Sequence, residues 1–268
     1  MPHHFTWKLD PFAVATLSIA ILLYAAGLWR MQRRGGLAHV PRWEIGAFLL
    51  GWAVLVIALL SPIATLSDWL FSVHMTQHEL LMLAAAPLIA VGRPLVPMLW
   101  ALPERWRRAS TRIAGGGAIM ALTSPVSVVA LHAVALWVWH LPVLYQAAIM
   151  DERIHIIQHL AFTGTAALFW WSMIRGRYGR LGYGAAVFYI FATAVHSSGL
   201  GALLTVSEVP WYPLYVQRAG DVDPLIDQQL GGLLMWVPSG MVMLLFALAL
   251  FAAWLGEAER RRQKGWSS

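Results

Sequence analysis

Cysteine is absent from the 268-residue chain, which excludes a disulfide framework, a zinc knuckle, an iron–sulfur cluster and a thiolate copper site. A metal here has to be held by histidine, methionine, carboxylate or backbone oxygen. Charge is also scarce: Asp, Glu, Lys and Arg make up 12% of the residues against 59% hydrophobic, and the mean hydropathy is +0.62. So few charges cannot clothe a water-soluble globule of this size. Also missing are a C-x-x-C-H haem attachment and a glycine-rich phosphate loop. The first residues, MPHHFTWKLDPF, lack the basic n-region of a cleaved signal peptide, so the first apolar run is expected to be retained.

What the chain does have is apolar runs. Seven of them, at residues 12–29, 44–60, 70–91, 118–140, 154–174, 183–206 and 230–255, follow one another through short connections. About 20 apolar residues cross a hydrocarbon core of about 30 Å as a helix. Backbone groups in lipid must be satisfied within the segment, so helices are the expected form. The expected fold is all-α, a single seven-helix transmembrane domain over residues 1–268. The Pro- and Trp-containing connection after the third run, with Arg105, Arg107, Arg108 and Arg112, is expected to be partly interfacial.

A net charge of +6 would point to nucleic acid in a soluble protein. Its distribution gives another reading. Sixteen of the 19 basic residues lie in the connections after runs 1, 3, 5 and 7; only Lys8, Arg153 and Arg218 lie on the other side. The positive-inside rule then places the C-terminus in the cytoplasm and the N-terminus outside. The basic tail reads as a solvated topology signal, with no nucleic-acid partner.

With that orientation the intramembrane polar residues can be ranked by depth, at about 1.5 Å per residue. His74 and His78 begin the third run, and His155 and His159 begin the fifth. Both pairs share the form H-x-x-Q-H, which puts two imidazoles on one helix face. His140 ends the fourth run with His132 two turns deeper, His196 sits within the sixth, and Asp227, Gln228 and Gln229 stand at the mouth of the seventh. Seven of the ten histidines thus fall in the outer half of the membrane. Ionisable groups in a bilayer are costly and mark functional sites, so the set predicts a shared outward-facing site. A helix–helix hydrogen bond is the rival reading for any single one.

Imidazoles without thiolates suit copper, with zinc or haem iron as lesser alternatives. Gln77, Gln158 or Asp227 are candidates to fix a ring tautomer from behind. Met75, Met82, Met150 and Met235 are more readily packing residues than ligands. Binding by neutral imidazoles would weaken as pH falls through about 6.5. His78-Glu79 opens like the zinc-protease H-E-x-x-H, but Met82 stands where the second histidine belongs. Ser197 and Ser198 beside His196 lack a nucleophile motif. A transporter would need a polar path continuing to the cytoplasmic side, and the inner halves of the runs carry almost no ionisable group.

Several ordered motifs, HMTQHELLMLAAAPLIAVGRP, WVWHLPVLYQAA, HIIQHLAF with Phe169-Trp170-Trp171, WYPLY and DQQLGGLLMWVPSG, resemble the multi-span CtaG family of cytochrome c oxidase assembly factors, the bacterial kind linked to caa-type oxidases. The resemblance covers residues 61–242. It implies a non-enzymatic protein of the bacterial plasma membrane that serves maturation of a haem–copper oxidase at copper insertion. The implied cargo is copper as Cu(I), and the implied partners are an oxidase subunit or another copper chaperone. The motif positions carried over are His74, His78, His140, His155, His159 and Asp227; His132 and His196 join them by depth alone. Glu79 departs from the pattern, since the family has an apolar residue there.

Overall fold

The structure, a computed structural model, describes residues 5–35, 40–174, 182–218 and 220–265. These residues form helices and turns, with no strand among them. Helix α1, Pro11–Arg33, shows how local chemistry sets the ends. Asp10 accepts from the Ala13 amide at 2.6 Å, Pro11 opens the first turn, and Arg30 and Arg33 close the last. An acceptor and a proline at the start and cations at the end satisfy the exposed amides and the helix dipole.

Helix α2, Arg42–Leu60, runs into the short α3, Pro62–Leu66, across Ser61. The third apolar run becomes α4, Phe71–Glu79, a π-helical turn at Leu80–Ala85, and α5, Ala86–Gly92. Pro87 accounts for the π turn. It has no N–H to give to a carbonyl one turn back. In the widened turn the Ala86 amide reaches the Leu81 carbonyl, five residues away, and the Met82 carbonyl, which Pro87 cannot serve, accepts the Trp170 indole N–H at 2.8 Å.

The arginine-bearing connection is itself helical, as α6, Leu95–Ala101, and α7, Glu104–Ala114. The fourth run is not one helix. It breaks into α8, Gly117–Leu122, and α9, Pro125–Trp139, because Ser124 caps a new helix and Pro125 opens it. After His140, the segment expected to be a loop forms α10, Pro142–Met150, bent by 75° from α9. Then come α11, Glu152–Ile174, α12, Gly182–Val206, α13, Pro213–Arg218, and α14, Pro224–Gly265. Helix α14 is 42 residues long and carries on through Gly256 to Lys264, where a tail was expected.

Among the described residues, five stretches are long and apolar enough to cross a membrane: Pro11–Arg33, Arg42–Leu66, Phe71–Gly92, Gly182–Val206 and Pro224–Glu257. The bent pair α9–α10 makes a sixth if counted as one span. The fifth predicted run does form a continuous helix, α11, but Glu152, Arg153, His155, Gln158 and His159 in its first turns leave it outside that group. Arg175, Arg177 and Arg180, used in the orientation count, lie outside the described residues.

Two close approaches hold the bundle. A Cβ on Gly201 of α12 would stand 2.8 Å from the Gly232 carbonyl of α14, and one on Gly232 would stand 2.6 Å from the Gly201 carbonyl. Only hydrogen fits there, and the two backbones touch, as in membrane helix pairs that rely on small residues. A Cβ on Gly27 would overlap the Pro97 carbonyl at 1.8 Å, which joins α1 to α6. The buried apolar core runs between these pairs through Phe71, Met75, Phe162, Phe169, Trp170 and Ile190.

Candidate metal centre

Three helices bring imidazoles together at one end of this bundle. His74 and His78 sit one turn apart on α4, with ring centroids 4.4 Å apart and planes at 89°. His155 and His159, one turn apart on α11, have centroids 4.2 Å apart. The two pairs face each other: His78 to His159 is 5.3 Å, His74 to His155 is 5.3 Å and His74 to His159 is 6.2 Å. His140, at the end of α9, lies 6.4 Å from His78.

The tightest set is His74, His78 and His159. One ring nitrogen from each lies within 4.8 Å of the other two. His74 and His78 are each only 1% exposed. Neither nitrogen of His74 or His78, nor Nε2 of His140, His155 or His159, has a hydrogen-bond partner. A buried polar atom left unpaired costs about 1–3 kcal/mol, so five clustered rings with orphaned nitrogens make a costly assembly unless something engages them. For His140 the tautomer follows from its surroundings. Nδ1 donates to the Leu136 carbonyl at 2.7 Å, which leaves Nε2 with its lone pair free.

The partners anticipated for these rings are not those found. Gln77 donates instead to the Ala58 carbonyl at 2.8 Å and ties α4 to α2. Gln158 is fully buried with both amide atoms unpaired. Asp227 stands apart from the imidazoles as a cap: it accepts from the Phe71 amide at 2.6 Å, the Ser72 amide at 3.2 Å and the Ser72 hydroxyl at 2.5 Å. It therefore anchors the start of α4 to the start of α14. His132 and His196 are also outside the three-nitrogen group; His132 bonds Thr165 at 3.0 Å through Nδ1 and stacks on Phe169. Met75, Met82 and Met235 are core residues, whereas Met150 is 74% exposed at the rim.

An aromatic roof over the site was not anticipated. Tyr145 of α10 lies 5.2 Å from His74 and 4.1 Å from Tyr212, which in turn stacks on Phe71 at 5.1 Å. Tyr212 donates to the His140 carbonyl at 2.9 Å and Tyr215 to the Ser67 carbonyl at 2.8 Å. Burial pushes both phenols of this α12–α14 connection well above their ordinary range, so they stay protonated donors. Gln228 fixes the same connection, accepting from the Trp211 amide at 2.6 Å and donating to the Val209 carbonyl at 3.2 Å. The available signals were the WVWHLPVLYQAA and WYPLY motifs, which mark residues but not roles.

His155 is where the site meets its surroundings. It lines a polar cavity of about 390 Å³ with Lys8, Asp68, Glu152 and Arg218, and also an apolar cleft of about 200 Å³ between α1, α2 and α11. The Lys8–Asp68 ion pair, at 3.0 Å, spans the rim.

The sequence profile described as cytochrome c oxidase caa3 assembly factor (Caa3_CtaG) matches residues 22–257, nearly the whole chain and every helix that carries an imidazole of the cluster. The chain belongs to that family. Among curated relatives of this Caa3_CtaG chain, an uncharacterized protein of Mycobacterium leprae is 25% identical over 274 residues, covering 95% of this chain and 40% of that protein. An uncharacterized protein of Mycobacterium bovis is 25% identical over 269 residues with the same two coverages. The Caa3_CtaG chain thus spans about two fifths of the length of these relatives. No solved structure matches it.

Proposed function

We propose that this Caa3_CtaG protein binds copper as Cu(I) at His74, His78 and His159 and passes it to an oxidase subunit or to another copper chaperone. The reading rests on three imidazoles, His74 and His78 buried and His159 half-buried, that each offer a ring nitrogen within 4.8 Å of the others and each carry an unpartnered nitrogen. Neutral imidazole is a ligand for copper, and with no cysteine in the chain the donors are nitrogen. Bonds of about 2 Å to one ion place such nitrogens within about 4 Å of each other, close to the 4.8 Å within which they already lie. His140 and His155 stand next to the trio with free Nε2 atoms, so an ion can change ligands in short steps.

The cavity at His155 supplies the route. Copper arriving there would meet His155 first and His159 next, 4.2 Å away between ring centres. In this reading α11 and the α9–α10 pair also span the membrane, for seven spans in a bacterial plasma membrane. The histidine end faces outward and the arginine end the cytoplasm. The protein acts as a non-enzymatic assembly factor.

The test is the copper content of purified protein loaded with Cu(I) and then desalted. Wild type is expected to retain about one equivalent and His74→Ala/His78→Ala less than a tenth of that, with oxidase in the variant strain deficient in copper. Equal copper in both proteins, or none in either, would overturn the reading.

A further inference from the structure

At the opposite end of α1 from the histidines, four arginines converge on one cavity of about 270 Å³. Arg30, Arg33 and Arg34 come from the end of α1, and Arg107 from the first turn of α7. The fold draws them together. Arg30 donates to the Ala101 carbonyl at 2.5 Å, and Arg107 lies 4.5 Å over the Trp100 ring, so the α6–α7 corner is held against the end of α1. The one acid on the wall, Glu104, is already engaged by Arg108 at 2.5 Å. Among the described residues, no carboxylate lies within ion-pair distance of any of the four.

Topology alone asks only for cations near this face. It does not ask for four guanidinium groups around one cavity with their carboxylate neighbour turned to another partner. Guanidinium forks match the paired oxygens of a phosphate, and Arg is favoured over Lys where such two-point contact matters. The setting supplies lipid. Helix α7 has no buried residue, and it exposes Trp106 (57%) and Ile113 (65%) beside its arginines. Met120 and Leu122 of α8 extend the exposed apolar surface. A helix of this kind lies in the membrane interface, with the cavity at headgroup level.

The geometry points to a phosphate-binding pocket formed by Arg30, Arg33, Arg34 and Arg107 that holds the phosphodiester headgroup of an anionic phospholipid. It is independent of the histidine site, which lies at the other end of the bundle.

Native mass spectrometry of the delipidated full-length protein, with phosphatidylglycerol or phosphatidylcholine added back, tests this. Wild type is expected to hold phosphatidylglycerol at least tenfold more tightly than phosphatidylcholine. Arg34→Gln/Arg107→Gln is expected to lose that preference, while Arg260→Gln/Arg262→Gln, which removes the same charge from the tail, keeps it. Arg34→Lys/Arg107→Lys, which keeps the charge and the packing stems, serves if the glutamine pair fails to fold, and should lose several-fold. Equal loss in the pocket and tail variants, full retention in the lysine pair, or no preference in wild type would each overturn the proposal. Complete displacement of phosphatidylglycerol by millimolar inorganic phosphate would overturn the lipid as occupant.

Discussion

Asp227 sits in the first turn of α14, and both its oxygens point at the start of α4. Read from sequence alone, an acid at membrane depth beside a histidine set looks like a ligand or its support. Its bonds to two amides and a hydroxyl are instead those of a helix cap. Asp227→Ala strands these donors, at a cost of about 3 kcal/mol, and should lower the thermal midpoint in detergent by several degrees without changing copper per folded molecule. Unchanged stability with lost copper would restore the ligand reading. The buried phenols of Tyr212 and Tyr215 make a second residue-scale prediction. Raised folded-state values favour the neutral form, so their contribution is fully present below the ordinary phenol range near pH 10 and is lost as pH climbs above it. Urea titrations from pH 8 to 11 should show stability falling on the alkaline side, with a shallower fall in Tyr212→Phe/Tyr215→Phe. A parallel fall in both proteins would remove these phenols as the cause.

At the scale of helices, the π turn at Leu80–Ala85 decides how the histidine-bearing α4 is set against α5. One residue more per turn rotates α4 about its axis relative to α5. The Met82 carbonyl, without an N–H from Pro87, depends on Trp170. Trp170→Phe should therefore cost about 1–3 kcal/mol in thermal unfolding. Adding Pro87→Ala, which supplies a backbone N–H, should return part of it. If the double variant is no better than the single, the carbonyl is not the reason. Here the sequence was partly legible. Pro87 was visible, but a proline in an apolar run announces a kink without saying which widened turn will absorb it. Ser124-Pro125 is a helix start in the sequence too, but the length of apolar chain around it suits one continuous helix equally well. His74/His78 and His155/His159 were the clearest case, because a spacing of four on a helix fixes a common face whatever surrounds it.

For the whole molecule, the proposed orientation is directly accessible because the chain contains no cysteine of its own. A single cysteine at Met150, exposed beside the polar cavity at His155, should react with a membrane-impermeant maleimide on intact cells. One at exposed Arg112 on α7 should react only after lysis. Labelling of both from the same side would refute the orientation drawn from the arginine count. Composition, run lengths and charge asymmetry are properties that the bilayer reads from the chain as a solvent does. For that reason the all-helical membrane character, the division into histidine and arginine ends and the family motifs were legible without coordinates. Which imidazoles meet was not, because the cost of exposing an imidazole to lipid turns each polar face inward without saying which neighbour it will meet. That choice was made by contacts between distant parts of the chain: Gly201 against Gly232, Asp227 on α4, Trp170 on Met82, and the Tyr145–Tyr212–Tyr215 roof. They set α4 and α11 so that His74, His78 and His159 share one centre, and leave His132 bonded to Thr165, Asp227 bonded to the start of α4, and His196 outside the group.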